Sequence, residues 1–377
     1  MNTPATVSWT HDGLEKAALW SSANDVPPPK AIVEVDDSLG ADDAYRMATN
    51  GTGMLFTGDY HNARQLLSAI ARRIPAGGKA KRTAAAPTTA ERFYKYRQAR
   101  THRARILSML LVPVGPGPVV ALRRAPDVTE AWTNAFGQVA EPVVVSLQEL
   151  LGAIGAQQWR TTGLHVAALD AKIHPHYGTF APVRGEYLDL VARAELPGLG
   201  RAFDIGTGTG VLAAILAKRG VTEVIGTDSQ ERAVACAQAT FASLGLGERA
   251  RAVKQDMFPD GRADVVVCNP PWLPGTPQTL LDYAVYDPKS AMLRAFLAGL
   301  PDHLAKDGQG WLVISDLAER LGLRTRAELL HWIEGAGLAV LGREDTVPSH
   351  GRAADTSDPF HVERSGEVTS LWKLGVK

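Results

Sequence analysis

From residue 201 to residue 336, short β-branched runs alternate with helical patterns, and no other property limits the fold of this chain so strongly. "RAFDIG" (201–206) reads as strand, 209–219 as helix, "EVIGTD" (223–228) as strand and 230–244 as helix. "RAVKQ" (251–255) and "ADVVVCN" (263–269) follow as strands, then a helix over 288–305, the strand "GWLVIS" (310–315) and a helix over 317–336. Strands spaced by helices in this way pair in parallel through right-handed crossovers, which predicts an α/β doubly wound sheet. "EVTSLWKL" near the C-terminus reads as a final strand closing that sheet.

A chain of 377 residues is long for one core, so two domains are expected, divided near residue 165. The first 165 residues read as an α+β or α/β domain. Within them "GMLFTGDYHNARQLLSAIARRI" predicts a strand, a loop and an amphipathic helix, and "EPVVVSLQELLGAIG" a strand then a helix. "ILSMLLVPVGPGPVVAL" is apolar but cut by Pro113, Pro116 and Pro118, so it reads as a β-hairpin and not a membrane span. "KRTAAAPTTA" (81–90) reads as a low-complexity link. The N-terminal residues lack the charged and apolar regions of a signal peptide. Cys236 and Cys268 fall in a predicted helix and strand, so no disulfide is expected and a reducing, cytoplasmic setting is.

Forty Lys and Arg balance forty Asp and Glu, so net charge names no partner. Local charge says more. Residues 79–105 hold nine Lys or Arg and a single acid, Glu91, interleaved with Phe93, Tyr94 and Tyr96. Cations for phosphates and rings for bases are the composition of an RNA contact; a solvated helix face with buried aromatics would read the same way.

"FDIGTGTGVLAAILAKRG" (203–220) is a strand, a glycine-rich turn and a helix. Gly206, Gly208 and Gly210 let the backbone approach a ligand, and the helix N-terminus offers N–H groups to an anion. A dinucleotide fingerprint would place glycine at 211, which is Val211. The next strand ends on Asp228, followed by Ser229, where an acid can grip ribose hydroxyls or cap the following helix. "KQDMF" (254–258) puts Asp256 and Met257 at a third strand tip, within reach of an adenine amino group or in a simple turn. Three polar tips in succession on one sheet edge favour an adenosyl cofactor.

The fourth strand runs into Asn269-Pro270-Pro271-Trp272. The Asn269 amide oxygen and the Pro270 carbonyl can each accept a hydrogen from a substrate –NH2, while Pro271 stiffens the turn. Trp272 offers a flat face on which a planar amide or base can stack. The order "DIGTGTG", "TD", "QDMF", "VVVCNPPW" resembles class I S-adenosylmethionine-dependent methyltransferases, over about residues 175–340. Within them it is similar to the Asn-Pro-Pro-aromatic group that methylates nitrogen in protein glutamine, rRNA bases and DNA adenine. The resemblance implies a Rossmann-like catalytic domain over 166–377 and a substrate-recognition domain over 1–165. It implies S-adenosyl-L-methionine as cofactor, with Asp204, Gly206, Thr207, Gly208 and Gly210 around the methionine moiety. Asp228 with Ser229 would hold the ribose, and Asp256 with Met257 the adenine. Asn269 would border the cofactor, and Asn269, Pro270 and Trp272 would carry catalysis. Trp272 departs from the usual Tyr or Phe, and its wider ring suggests a different stacking partner.

"IHPHYGTFAPVRGEY" (173–187) precedes the glycine turn, and Tyr177, Phe180 and Pro182 are candidates for a lid. His174 and His176 lack a third ligand, so no metal is expected. In the loop 349–367, His361 and Arg364 are substrate candidates, as is Pro271 at the turn. The function expected is an S-adenosylmethionine-dependent N-methyltransferase, with an RNA base as the favoured target. A protein glutamine, a small-molecule amine, and an NAD(P)-dependent oxidoreductase built on the glycine turn are the alternatives.

Overall fold

The computed structural model describes residues 5–75, 87–183, 185–348 and 355–377. Contacts divide the chain into one unit over Met1–Gln158 and another over Trp159–Lys377, so the division falls ahead of residue 165. Parts of the basic stretch, of the 81–90 link and of the 349–367 loop lie outside the described residues, as does position 184.

The first unit carries β1 (Thr6–His11), β2 (Leu14–Ser21), β3 (Ala31–Val35), α1 (Ala41–Thr49), β4 (Thr52–Phe56) and α2 (Tyr60–Arg73). It continues with α3 (Thr89–Leu107), β5 (Leu110–Gly115), β6 (Val119–Val120), α4 (Thr129–Phe136), β7 (Val143–Ser146) and α5 (Leu147–Thr162), the last running past the division. The proline-cut apolar run forms the expected hairpin, β5 pairing antiparallel with β6. Strand order is β1-β2-β7-β5-β4-β3. Val7, Ala18, Ile32, Leu55, Leu111 and Val144, one from each of these strands, form a single cluster, so the sheet curls around its own side chains. Its two outer strands meet at Glu34, whose carboxylate accepts from Trp9 Nε1 at 2.7 Å and Lys16 Nζ at 2.8 Å.

The second unit opens with the hairpin β8 (Leu164–Val166) and β9 (Ala171–Ile173), then α6 (Glu186–Arg193), β10 (Arg201–Ile205), α7 (Val211–Lys218) and β11 (Glu223–Asp228). It proceeds through α8 (Glu231–Ser243), β12 (Ala250–Lys254), β13 (Ala263–Cys268), α9 (Ala291–His303) and β14 (Leu304–Ser315). It ends with α10 (Leu317–Arg320), α11 (Arg326–Gly335), β15 (Leu338–Thr346), α12 (His361–Ser365) and β16 (Thr369–Val376). Strand order is β12-β11-β10-β13-β14-β16-β15, parallel from β12 to β14, with β16 antiparallel to both of its neighbours. This is the doubly wound α/β sheet expected. Ala202, Val265, Val267, Trp311 and Val313 pack with α6, α7 and α8 on one face. Phe203, Ile205, Val266, Cys268, Leu312 and Ile314 pack with α9 and α11 on the other. Burial on both faces explains why these strands read as continuous apolar runs.

Three local expectations change. The helix foreseen from 288 starts at Ala291, because Lys289 and Ser290 adopt φ of +57° and +53°. The helix foreseen over 317–336 is two, because Gly322 turns left-handed at φ +69° and Thr325 with Glu328 opens α11 with a new capping box. β15, unforeseen, is an edge strand that begins apolar at Leu338–Leu341 and turns charged at Arg343–Asp345, with most of its side chains at least partly exposed.

Candidate active site

The glycine turn sits between the tip of β10 and α7. Gly206, Gly208 and Gly210 all have positive φ, at +71°, +55° and +77°. They differ in what surrounds them. A Cβ on Gly206 would lie 2.7 Å from Met292 Cε, and one on Gly210 would lie 2.8 Å from Phe241 Cε1. At Gly208 the nearest atom, the Gly206 carbonyl oxygen, is 4.0 Å away, so the middle of the turn faces open space.

Asp204 organises the turn from below. Its Oδ2 accepts from Thr207 Oγ1 at 2.7 Å and from the Ala213 N–H at 3.0 Å. Its Oδ1 is buried without a partner among the described residues, and the residue is 1% exposed. Burial, with the negative charge of Asp228 adding to it, raises the carboxyl to about 6. A buried acceptor with no partner is expensive to leave unmet, so it points to a donor supplied from outside the chain.

Asp228 binds the second strand tip to the turn. One oxygen accepts from the Gly208 N–H at 3.1 Å and the other from the Gln230 N–H at 2.9 Å. It is therefore not the N-cap of α8, a position taken by Gln230. Burial raises its pKa. Ser229 beside it is exposed. Past β12, Asp256 is exposed and Met257 has φ +61°, its carbonyl accepting from Thr227 Oγ1. The Gly turn, Asp228 and the Asp256–Met257 turn thus share the carboxyl edge of three adjacent strands, as expected.

β13 lies beside β10 and stops at Cys268, with Asn269 following at the same edge. Pro270 and Pro271 carry no N–H, so the ladder cannot continue through them. The expectation of a free Asn269 acceptor and a free Trp272 face needs correction. Trp272 Nε1 donates to Asn269 Oδ1 at 2.8 Å, so acceptor and plate are joined. The Tyr187 hydroxyl, on α6, lies beside the same Asn269 side chain. The Tyr187 and Trp272 rings meet edge to face, with centroids 6.5 Å apart. Glu186, Tyr187, Trp272, Pro348 and Thr369 line a small pocket against the indole. Sequence reasoning missed Tyr187; an aromatic on a helix ahead of the glycine turn gave no chemical signal.

The lid candidates lie along this edge to different degrees. Arg232, in the first turn of α8, stacks over the Tyr177 ring at 5.7 Å. Gly178 next to it faces Leu280 in the segment after the Asn-Pro-Pro-Trp, 3.0 Å from where a Cβ would sit. Phe180 is half-buried and Pro182 buried. His176 is lowered to about 4 by burial, and His174 Nδ1 sits 2.6 Å from the Arg160 carbonyl oxygen. Among the described residues no group of three or more His, Cys, Asp or Glu could hold a metal. Residues 361–365, read as loop, form α12, and Arg364 pairs with Asp358 at 2.9 Å. His361 Nδ1 is buried without a partner among the described residues. Pro348 and Thr369, which flank the 349–367 loop, both line the pocket beside Trp272. No helix among the described residues is long and apolar enough to cross a membrane.

Residues 190–322 match the family model described as the methyltransferase small domain. The chain is 31% identical over 169 residues to a tRNA1(Val) (adenine(37)-N6)-methyltransferase of Bacteroides thetaiotaomicron, covering 42% of this chain and 70% of that one. It is 27% identical over 172 residues to a ribosomal protein L11 methyltransferase of Pelotomaculum thermopropionicum, covering 45% of this chain and 55% of that one. A solved S-adenosylmethionine-dependent methyltransferase of Geobacter sulfurreducens covers 51% of this chain and 89% of its own, at 16% identity and a TM-score of 0.36. The NAD(P)-dependent oxidoreductase alternative falls with the family match and with Val211 in the turn. The chain belongs to the methyltransferase small domain family of class I S-adenosylmethionine-dependent methyltransferases, and it is an enzyme of their Asn-Pro-Pro-aromatic, nitrogen-methylating group.

Proposed function

We propose that this enzyme methylates the nitrogen of a conjugated –NH2 group, an exocyclic amine of an RNA base, at the edge formed by Asn269 and the glycine turn. The observation that carries this reading is that the Asn269 oxygen already holds an N–H donor at 2.8 Å. An indole nitrogen can only donate, so the amide presents its oxygen to that side. A substrate amine entering there gives one hydrogen to Asn269 Oδ1 and the other to the Pro270 carbonyl. With both hydrogens directed, the nitrogen lone pair turns out of conjugation and becomes nucleophilic. Positioning of this kind is worth roughly 7–11 kcal/mol when reactants are well aligned.

S-adenosylmethionine supplies an electrophilic methyl group. The unmatched Oδ1 of Asp204 and the open space over Gly208 fit it. Asp204 would hold its methionine end, with Gly206, Thr207 and Gly210 shaping the turn. Asp228, with Ser229, would hold the ribose, and Asp256 with Met257 the adenine. Tyr177, Phe180 and Pro182 would cover the site, and Pro271, His361 and Arg364 would border the substrate.

RNA is favoured over a protein glutamine by α3. Residues 98–105 are exposed on every side for two helical turns and carry Arg100, Arg103 and Arg105 without an acid. Upstream on the same helix stand Arg92, Lys95 and Arg97, with Tyr94 52% exposed. Glu91, the single acid of α3, is engaged in a capping box with Thr88. Helical turns that are polar all round have a surface to offer, and cations next to a ring suit phosphate and base. That one relative methylates tRNA adenine, by its name, agrees with this reading. The test is incubation of the full chain with methyl-labelled S-adenosylmethionine and a cell extract. Label is expected in RNA; label in protein would replace RNA by glutamine, and label in neither would remove the proposal.

A further inference from the structure

We infer that Trp272 is a gate for the methyl acceptor: its indole N–H occupies the Asn269 oxygen until a substrate N–H displaces it. The inference rests on the reading of Asn269 as the binder of the target nitrogen. Trp272 Nε1 sits 2.8 Å from Asn269 Oδ1, three residues back along a turn that two prolines stiffen. The turn therefore supplies its own donor with the feature it shares with the substrate: an N–H conjugated to a planar ring.

Tyr187 has a matching positioning role. Its hydroxyl lies beside the Asn269 side chain, and its ring meets the Trp272 ring edge to face. Held by Tyr187 and by the indole, the amide cannot rotate freely, and its oxygen is aimed at one place. The indole nitrogen marks that place. The pocket lined by Glu186, Tyr187, Trp272, Pro348 and Thr369 lies against the indole but has room for no more than one water, so displacement is a small shift of the indole N–H away from Asn269 and not a swing of the ring. After that shift, the indole face lies beside the group that has taken its hydrogen bond. One residue thus serves as stand-in before binding and as stacking surface after it.

The gate selects by hydrogen-bond donation. A net hydrogen bond of this kind shifts an equilibrium about 2- to 12-fold, enough to disfavour planar groups without an N–H and weak enough for an –NH2 to overcome. Substrates must both donate and be flat.

The test uses the full chain labelled with 15N at tryptophan indole nitrogens, with Trp272→Phe assigning the Trp272 Nε1–H resonance. In the substrate-free protein that proton should exchange slowly with solvent. Asn269→Ala should move the resonance and speed its exchange about 2- to 12-fold, and Tyr187→Phe should produce a smaller change in the same direction. Propionamide, a small primary amide, should shift this resonance and no other tryptophan's when added to the complex with S-adenosylhomocysteine. N,N-dimethylpropionamide, which lacks the N–H, should not. An unmoved resonance in Asn269→Ala, or equal responses to the two amides, would overturn the inference. Calorimetry with S-adenosylhomocysteine on the same sample tests the cofactor site separately, so a failed gate is distinguishable from a failed methyltransferase reading.

Discussion

Two adjacent strand tips, those of β10 and β13, handle unsatisfied polar groups in opposite ways. At β10, Asp204 Oδ1 is buried and unmet, beneath a glycine turn whose middle is open. At β13, the Asn269 oxygen is met by Trp272 from its own turn. On the proposed reading, the first tip offers its acceptor to a cofactor that is always the same molecule. The second closes on itself and must open, as suits a larger substrate. The difference teaches that a site can be preorganised on its cofactor side while its substrate side stays guarded.

The most severe way to break this comparison is Asn269→Ala. Methyl transfer should fall about 10²–10³-fold, the scale seen when one directed hydrogen-bonding group is removed from a reacting centre. Affinity for S-adenosylhomocysteine by calorimetry should change less than about twofold. A large loss of cofactor affinity would mean that the two tips act as one.

Asp204→Asn acts on the other tip, with a sign that depends on pH. The Asp204 carboxyl, at about 6, lies above its usual 3.8 because burial penalises the charge. A group whose folded pKa is raised binds its proton more tightly in the folded chain. Stability therefore falls as pH rises from about 4 to about 6, by on the order of 1–3 kcal/mol. Cofactor binding runs the other way, since a cationic ligand favours the ionised carboxylate. Affinity for S-adenosylmethionine should rise across that window and flatten above it. The Asp204→Asn substitution should raise the neutral-pH denaturation midpoint, weaken cofactor binding about 10-fold or more, and remove the pH dependence. Calorimetry at three pH values and urea melts read both effects.

The catalytic sheet was legible because parallel strands covered on both faces write long apolar runs, and glycines at 206, 208 and 210 punctuate them. The acids at 204, 228 and 256 and the Asn-Pro-Pro-Trp were readable from residue type and from position at strand ends. What escaped were relations across space. Nothing in the order of residues told that Tyr187 reaches Asn269, or that Trp272 would bond its own neighbour three residues back. β15 escaped because its apolar start, Leu338–Leu341, is short and the charged Arg343–Asp345 that follow carry no strand pattern. The curl of the first unit's sheet escaped because it depends on Glu34 gathering Trp9 and Lys16 from other strands.

Neutralising Arg100, Arg103 and Arg105 together sharpens the comparison from the RNA side. If α3 recruits RNA, binding should weaken severalfold, and the slope of log affinity against log salt should flatten by about 0.7 for each phosphate no longer neutralised. Turnover on a saturating acceptor should persist, because none of these residues stands at either strand tip. An unchanged slope would move RNA off α3.

Arg324 supplies the control for Asp204. It is 4% exposed, and its Nε and one Nη are buried without partners among the described residues. Burial lowers its pKa, with Glu319 and Asp287 as nearby opposing charges. Both residues are thus buried groups with unmet atoms, but only Asp204 lies under the open glycine turn. Removing one charge from a buried group of opposite charges commonly destabilises, by about 3–5 kcal/mol for a close pair, because the charges left behind lose their compensation. Arg324→Met should therefore lower stability by up to about 3 kcal/mol in urea melts, because Asp287 and Glu319 lose an opposing charge, and leave cofactor affinity within about twofold. If it instead weakened S-adenosylhomocysteine binding as Asp204→Asn does, an unmet buried charge would mark the site wherever it lay, and the contrast between the two tips would lose its meaning.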